Sequence, residues 1–213
     1  VPLIIEKILT GGAALDQTLE EFLPELAGSD KEAITLEMLL GHTSGLPESC
    51  FPTFEIESRE DVLQAIRQVP LIHDPGLRVN KSPMNFLVLG LVAEELHGKP
   101  LSEIAGEKLI SLFEKTNASM GAPDDARAFI APDDYDDWLR RMGWAEPQEP
   151  LGLYLEPNTG HTGLVASADN LAALARSMLM VATVNVTPDG TALSDAGRAF
   201  VPNTGVEGGE SMG

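Results

Sequence analysis

Apolar positions along this chain recur mostly at three- and four-residue spacing, the period of helices that bury one face. Leu3, Ile4, Ile8 and Leu9 predict a short helix over residues 1–9, halted by Gly11-Gly12. LDQTLEEFLPEL (Leu15–Leu26) predicts a turn and a short acidic helical piece broken at Pro24. Thr35 stands where it caps a helix through Leu40, closed by Gly41. The stretch His42–Pro52 is rich in Gly, Ser, Thr and Pro and predicts a loop. Ser58 with Asp61 three residues on resembles a capping box, and Val62, Leu63, Ile66 and Val69 make the buried stripe of the helix it opens.

Pro75-Gly76 marks a turn before the most pronounced helix, which begins at Ser82 or Pro83. Phe86, Leu87, Leu89, Gly90, Val92, Ala93 and Leu96 leave it apolar nearly all round, so it belongs in the interior. Gly98 and Pro100 end it, and Leu101–Phe113 predicts a further amphipathic helix. Residues 122–150 read as loop, with acidic and aromatic residues mixed in DDYDDWLRRMGW. Ser167 caps a long helix through about Leu179, with Asp169 and Asn170 in its first turn. After about residue 187 the chain is turn-rich. Period-two strands are few and no internal repeat is present, so the expectation is one mainly α domain over 1–213.

Composition narrows the function classes. Thirty-three acidic against 14 basic side chains give a net charge of -19, which repels phosphate backbones and argues against nucleic acid as a partner. No apolar stretch is long and uninterrupted enough to span a bilayer, so no membrane partner is expected. The single cysteine, Cys50, excludes an internal disulfide. A lone thiol and a start without a signal-peptide pattern suit a reducing, cytoplasmic setting. His42, His73, His97 and His161 lack metal-ligand spacing, and Asp133–Trp138 lacks the glycine of a calcium loop. Neither a metal nor another cofactor is expected.

Four segments then carry a resemblance. LTGGAALDQTLEEFLPEL (Leu9–Leu26), ITLEMLLGHTSGLP (Ile34–Pro47), PGLRVNKSPMNFLVLGLVAEELHGKPLSEI (Pro75–Ile104) and HTGLVASADNLAALARSML (His161–Leu179) resemble, in order, stretches of class C β-lactamases and their penicillin-binding-protein-like esterase and transpeptidase relatives. The resemblance implies a serine hydrolase or acyltransferase working through a serine ester. It also implies the helical domain of the serine β-lactamase/transpeptidase-like α/β fold. That family builds its central antiparallel sheet from both chain ends, so the sheet is expected to be largely absent here.

The family's chemistry rests on three elements, and this sequence departs from each. The first is Ser-x-x-Lys, in which lysine handles the proton of the attacking serine. No serine here has lysine at the third following position. In the family that element precedes the segment matching Val1–Leu9. The second is Tyr-x-Asn or Ser-x-Asn, matched here by Lys81-Ser82-Pro83. Lys81 is then either an acid/base group whose pKa burial lowers or a surface lysine at a turn. Ser82 occupies a substrate-side position in the resemblance, and its local pattern favours a helix N-cap. The third is Lys-Thr-Gly or His-x-Gly on a strand. His161-Thr162-Gly163 matches it in letters but directly precedes LVASADNLAAL, which places it on a different loop of the family, and the true element is expected beyond Gly213.

Two further groups remain open. His42 is either catalytic or a histidine hydrogen-bonded inside its loop, and the second reading is favoured. Ser44 has Pro47 where an activating lysine would stand. Partners expected are the remaining segments of the same fold or a second subunit, with a small acyl substrate once the site is complete. A helical domain without its sheet is also expected to expose an apolar face that an oligomer would bury. The alternative function is a non-catalytic binding or scaffold module.

Overall fold

The computed structural model describes residues 1–50, 52–109, 118–121, 135–136, 141–142, 150–155 and 158–185, with backbone alone at 135–136, 141–142, 150 and 182–185. Most of DDYDDWLRRMGW, residues 110–113 and the stretch after 187 lie outside the described residues, and the helix expected over Leu101–Phe113 ends at Lys108, with Leu109 as its C-cap.

Eight helices dominate the described residues: α1 (Pro2–Leu9), α2 (Leu19–Phe22), α3 (Leu36–Leu40), α4 (Arg59–Gln68), α5 (Pro83–His97), α6 (Leu101–Lys108), α7 (Pro150–Leu155) and α8 (Ala168–Asn185). Strand structure among them is limited to two small antiparallel pairs. β1 (Ser119–Met120) pairs with β4 (Leu164–Val165), and β2 (Tyr135–Asp136) with β3 (Arg141–Met142).

The helix starts follow the capping residues. Thr18 and Glu21 form a capping box on α2, and Ser58 and Asp61 form one on α4. Thr35 Oγ1 accepts the Met38 N–H at the start of α3. A single antiparallel bridge, Thr18 to Thr35, ties the starts of α2 and α3 together. α8 runs six residues past Leu179, the end its sequence pattern suggested. Its last turns include Val181 and Val184, which extend the apolar run without a stop residue.

α5 is the central helix, in contact with α1, α2, α3 and α6. Leu87, Val88, Leu91 and Val92 on it are buried, as are Ile4 of α1, Leu19 of α2, Leu39 of α3 and Ile104 of α6. This burial on every side explains why α5 shows almost no amphipathic bias in sequence. The backbone of loop 158–163 also lies against α5. A Cβ on Gly90 would come within 2.9 Å of Gly160 N and Cα, so two facing glycines permit this approach.

Candidate functional site

Four of the buried polar side chains, Thr43, Ser44, Ser82 and Asn85, gather where the loop 42–47 crosses the start of α5. Two left-handed residues shape that loop. His42 has φ 57° and Gly45 has φ 81°. A Cβ at Gly45 would collide with the His73 carbonyl oxygen, so glycine is needed there for space as well as for φ. Main-chain bonds then fasten the loop to residues 72–80. Ile72 N–H donates to Gly45 O (2.9 Å), Gly76 N–H to Thr43 O (2.7 Å), and Asn80 N–H to His42 O (2.8 Å).

Side chains complete the join. The Leu46 N–H donates to Ser44 Oγ at 3.1 Å, and the Ser44 hydroxyl donates to Asn85 Oδ1 at 2.5 Å. Asn85 Nδ2 donates to His42 Nδ1 at 2.9 Å, and the Ser82 N–H reaches the same nitrogen at 3.2 Å. Ser82 Oγ accepts from Met84 N–H at 3.1 Å and donates to Pro47 O at 2.5 Å. Ser44, Ser82 and Asn85 are buried, and the network satisfies them. The Ser82 N–H can only donate, so His42 Nδ1 carries the lone pair and the ring proton is assigned to Nε2.

The ring of His42 is half-buried and meets the Phe86 ring edge-on, with centroids 5.2 Å apart. Burial holds its pKa below the ordinary histidine value, and the nearby positive charge of Lys81 pushes in the same direction.

The sequence-derived positions fall out as follows. Lys81 is exposed at the end of the loop entering α5, not buried as the acid/base alternative supposed, and its amine has no hydrogen bond or ion pair with any described residue. Ser82 is the N-cap of α5, and Pro83 follows at the first turn, where a missing N–H costs nothing. His161 lies half-buried in the loop before β4 and α8, away from the 42–47 loop in sequence, and burial lowers its pKa. Thr159 Oγ1 donates to Thr162 O at 2.8 Å in that same loop. Among the described residues no group of three or more His, Cys, Asp or Glu side chains is arranged to hold a metal ion, and no helix is long and apolar enough to cross a membrane.

Asn85 is the residue the sequence reading passed over. Its signal was present. An asparagine one turn into a helix otherwise apolar on every side needs a buried partner.

Solved structures of β-lactamase fold are similar to this chain. A class C β-lactamase structure matches with a TM-score of 0.67 at 19% identity, covering 84% of this chain and 47% of that one. A β-lactamase/D-alanine carboxypeptidase from Pseudomonas syringae matches at 0.65 and 17% identity, covering 93% and 51%. A class C β-lactamase from Rhodobacter sphaeroides matches at 0.66 and 21%, covering 94% and 52%. In sequence, the chain is 21% identical over 203 residues to a putative D-alanyl-D-alanine carboxypeptidase of Escherichia coli (strain K12), covering 82% of this chain and 47% of that protein. The Beta-lactamase family model matches residues 3–209, and the chain belongs to that family. It spans about half the length of the relatives it matches.

Proposed function

We propose that these 213 residues form the helical part of a β-lactamase-related serine hydrolase or acyltransferase, and that the serine it acylates is not among them. The family match over residues 3–209, in a sequence without any Ser-x-x-Lys, carries this reading. The sheet that completes the fold, and with it the nucleophile and oxyanion donors, then comes from polypeptide outside these residues or from a second subunit. In the completed site, exposed Lys81 stands at the family's tyrosine position, and buried Ser82 orients the start of α5 beside the substrate.

One observation favours a second reading, a non-catalytic binding or scaffold module. Proline at residue 83 offers no side-chain donor where the family's asparagine would hold substrate, and Ser82 Oγ is engaged by Pro47 O and Met84 N–H.

The test is covalent labelling. The 213-residue chain is incubated with a fluorescent penicillin and an activated ester, and adducts are sought by mass spectrometry. No adduct and no turnover above background are expected. An unactivated serine is a poor nucleophile, and losing one oxyanion donor alone costs on the order of 100- to 1000-fold in rate. An acyl group trapped on one of the chain's own serines overturns the reading. In a completed form of the fold, Lys81→Ala lowers turnover by about 100-fold if Lys81 is the base. An active completed enzyme indifferent to Lys81→Ala removes Lys81 from the mechanism. A completed form with no turnover at all favours the scaffold module.

A further inference from the structure

We infer that His42 is a positioning residue that fixes the backbone on both sides of Lys81 and so sets where that lysine is presented. The inference rests on the reading of Lys81 as part of the working site. The geometry behind it is a clamp made by one residue. The main-chain oxygen of His42 accepts the N–H of Asn80, and its Nδ1 accepts the N–H of Ser82. Lys81 is the residue between them, and its own side chain has no anchor among the described residues.

Holding both flanking amides requires His42 O and His42 Nδ1 to face the same strand of chain. The left-handed φ of 57° belongs to the conformation that achieves this. Such a φ is uncommon for a residue with a Cβ, and histidine and asparagine are among the side chains that tolerate it. Asn85 orients the ring by donating to Nδ1, and Ser44 in turn fixes Asn85. Phe86 bounds the ring edge-on. Lys81 is the charged group acting on the ring, while Asn85 and Phe86 of α5 are uncharged.

Histidine is not essential to such a clamp, and that makes it testable. Asn Oδ1 occupies nearly the same place relative to Cβ as His Nδ1. It accepts N–H donors, and it does not titrate. His42→Asn therefore preserves the clamp and removes its response to pH. His42→Leu keeps comparable bulk and has no acceptor.

The experiment measures backbone order by 15N relaxation and hydrogen-exchange protection in the 213-residue chain. Expected for wild type at pH 7.5 and for His42→Asn is a Lys81 amide order parameter near ~0.85, with Asn80 and Ser82 protected. Expected for His42→Leu is an order parameter below ~0.6 and at least tenfold faster exchange at Ser82, with α5 protection retained. In wild type, Ser82 protection corrected for intrinsic exchange drops as His42 protonates, and in His42→Asn it does not. Unchanged order at Lys81 in His42→Leu, or failure of His42→Asn to restore it, overturns the inference. Should His42→Leu fail to fold, the wild-type and His42→Asn titrations decide, and a pH-independent wild type overturns it. Turnover is not read here, so failure of the acyl-transfer reading shows only in the labelling experiment.

Discussion

Asn85→Leu removes both arms of the only polar side chain in the apolar middle of the α5 start, with little change in volume. Asn85 and Ser44 are each 0% exposed, so water does not replace what is lost. The Asn85–His42 hydrogen bond contributes about 0.5–1.5 kcal/mol, and the orphaned Ser44 hydroxyl costs about 1–3 kcal/mol. Together they predict a loss of about 2–4 kcal/mol. For a chain of this length that is roughly a 5–15 °C drop in melting temperature. Ser44→Ala orphans Asn85 Oδ1 and the Leu46 N–H and is expected to cost about 1–3 kcal/mol on the same grounds. The double variant has neither the lone hydroxyl nor the lone Oδ1, so it costs less than the sum. A coupling of about 1–2 kcal/mol is expected, within the range for directly bonded pairs. Urea unfolding followed by far-UV circular dichroism measures all three, with an unchanged slope confirming that the unfolded state is comparable. Additivity within about 0.3 kcal/mol would refute the network, as would an Asn85→Leu loss below about half a kcal/mol.

Two further predictions concern the rest of the fold. Lys31 is 1% exposed and its ammonium donates to Arg67 O at 3.1 Å and to Val69 O, with Asp30 at 2.5 Å. Lys31→Met keeps the stem but orphans those carbonyls at the end of α4, so it is expected to cost about 2–4 kcal/mol in urea unfolding. Asp30 is 54% exposed, and Asp30→Asn is expected to cost about 0–1 kcal/mol; equal losses would place the stabilisation in the ion pair. The second prediction is pH dependence. His42, His97 and His161 are all held below the ordinary value of 6.5, burial being the largest cause for each. The unfolded chain then binds more protons than the folded one as pH falls below 6.5, so stability present above that pH is lost on the way down through the folded values. Glu94, raised by burial above 4.5, works in the opposite sense at lower pH. Melting temperature is expected to fall between pH 7.5 and 5.5, less so in His42→Asn, and a flat or rising profile in wild type would contradict it.

Helix positions were legible because local signals agree with packing. Thr35, Ser58 and Ser82 all cap helices where the sequence placed them, and the all-apolar run from Phe86 became the buried centre. The end of α8 was misplaced by six residues, because no glycine or proline interrupts the run from Leu179 to Asn185 and the first such residue is Pro188. The site was only partly legible for a different reason. Its hydrogen bonds join residues about 40 positions apart, as in His42 with Ser82 and Ser44 with Asn85. Spacing within a segment carries no record of such pairs. A resemblance pointed to Lys81 and Ser82 because it compares positions. It passed over Asn85, whose role depends on His42 and Ser44 in a different segment.

The geometry also decides between the two roles that the sequence left open for His42. A general base needs a lone pair directed at the proton it removes. The imidazole has one such nitrogen in its neutral form, and here that nitrogen already accepts from Ser82 N–H and from Asn85 Nδ2. Taking a proton at Nδ1 would break both bonds and bring a second positive charge near Lys81, in a ring whose burial already disfavours the charged form. Nε2 carries the ring hydrogen and is able only to donate. His42 therefore belongs to the frame of the site, as the loop-histidine reading held. Lys81 is different, since its amine is exposed and bonded to none of the described residues. Under the proposed acyl-transfer reading, Lys81→Ala in the completed fold decides whether that exposed amine takes part in proton transfer, while the contacts of His42 with Asn80 and Ser82 hold the chain on either side of it.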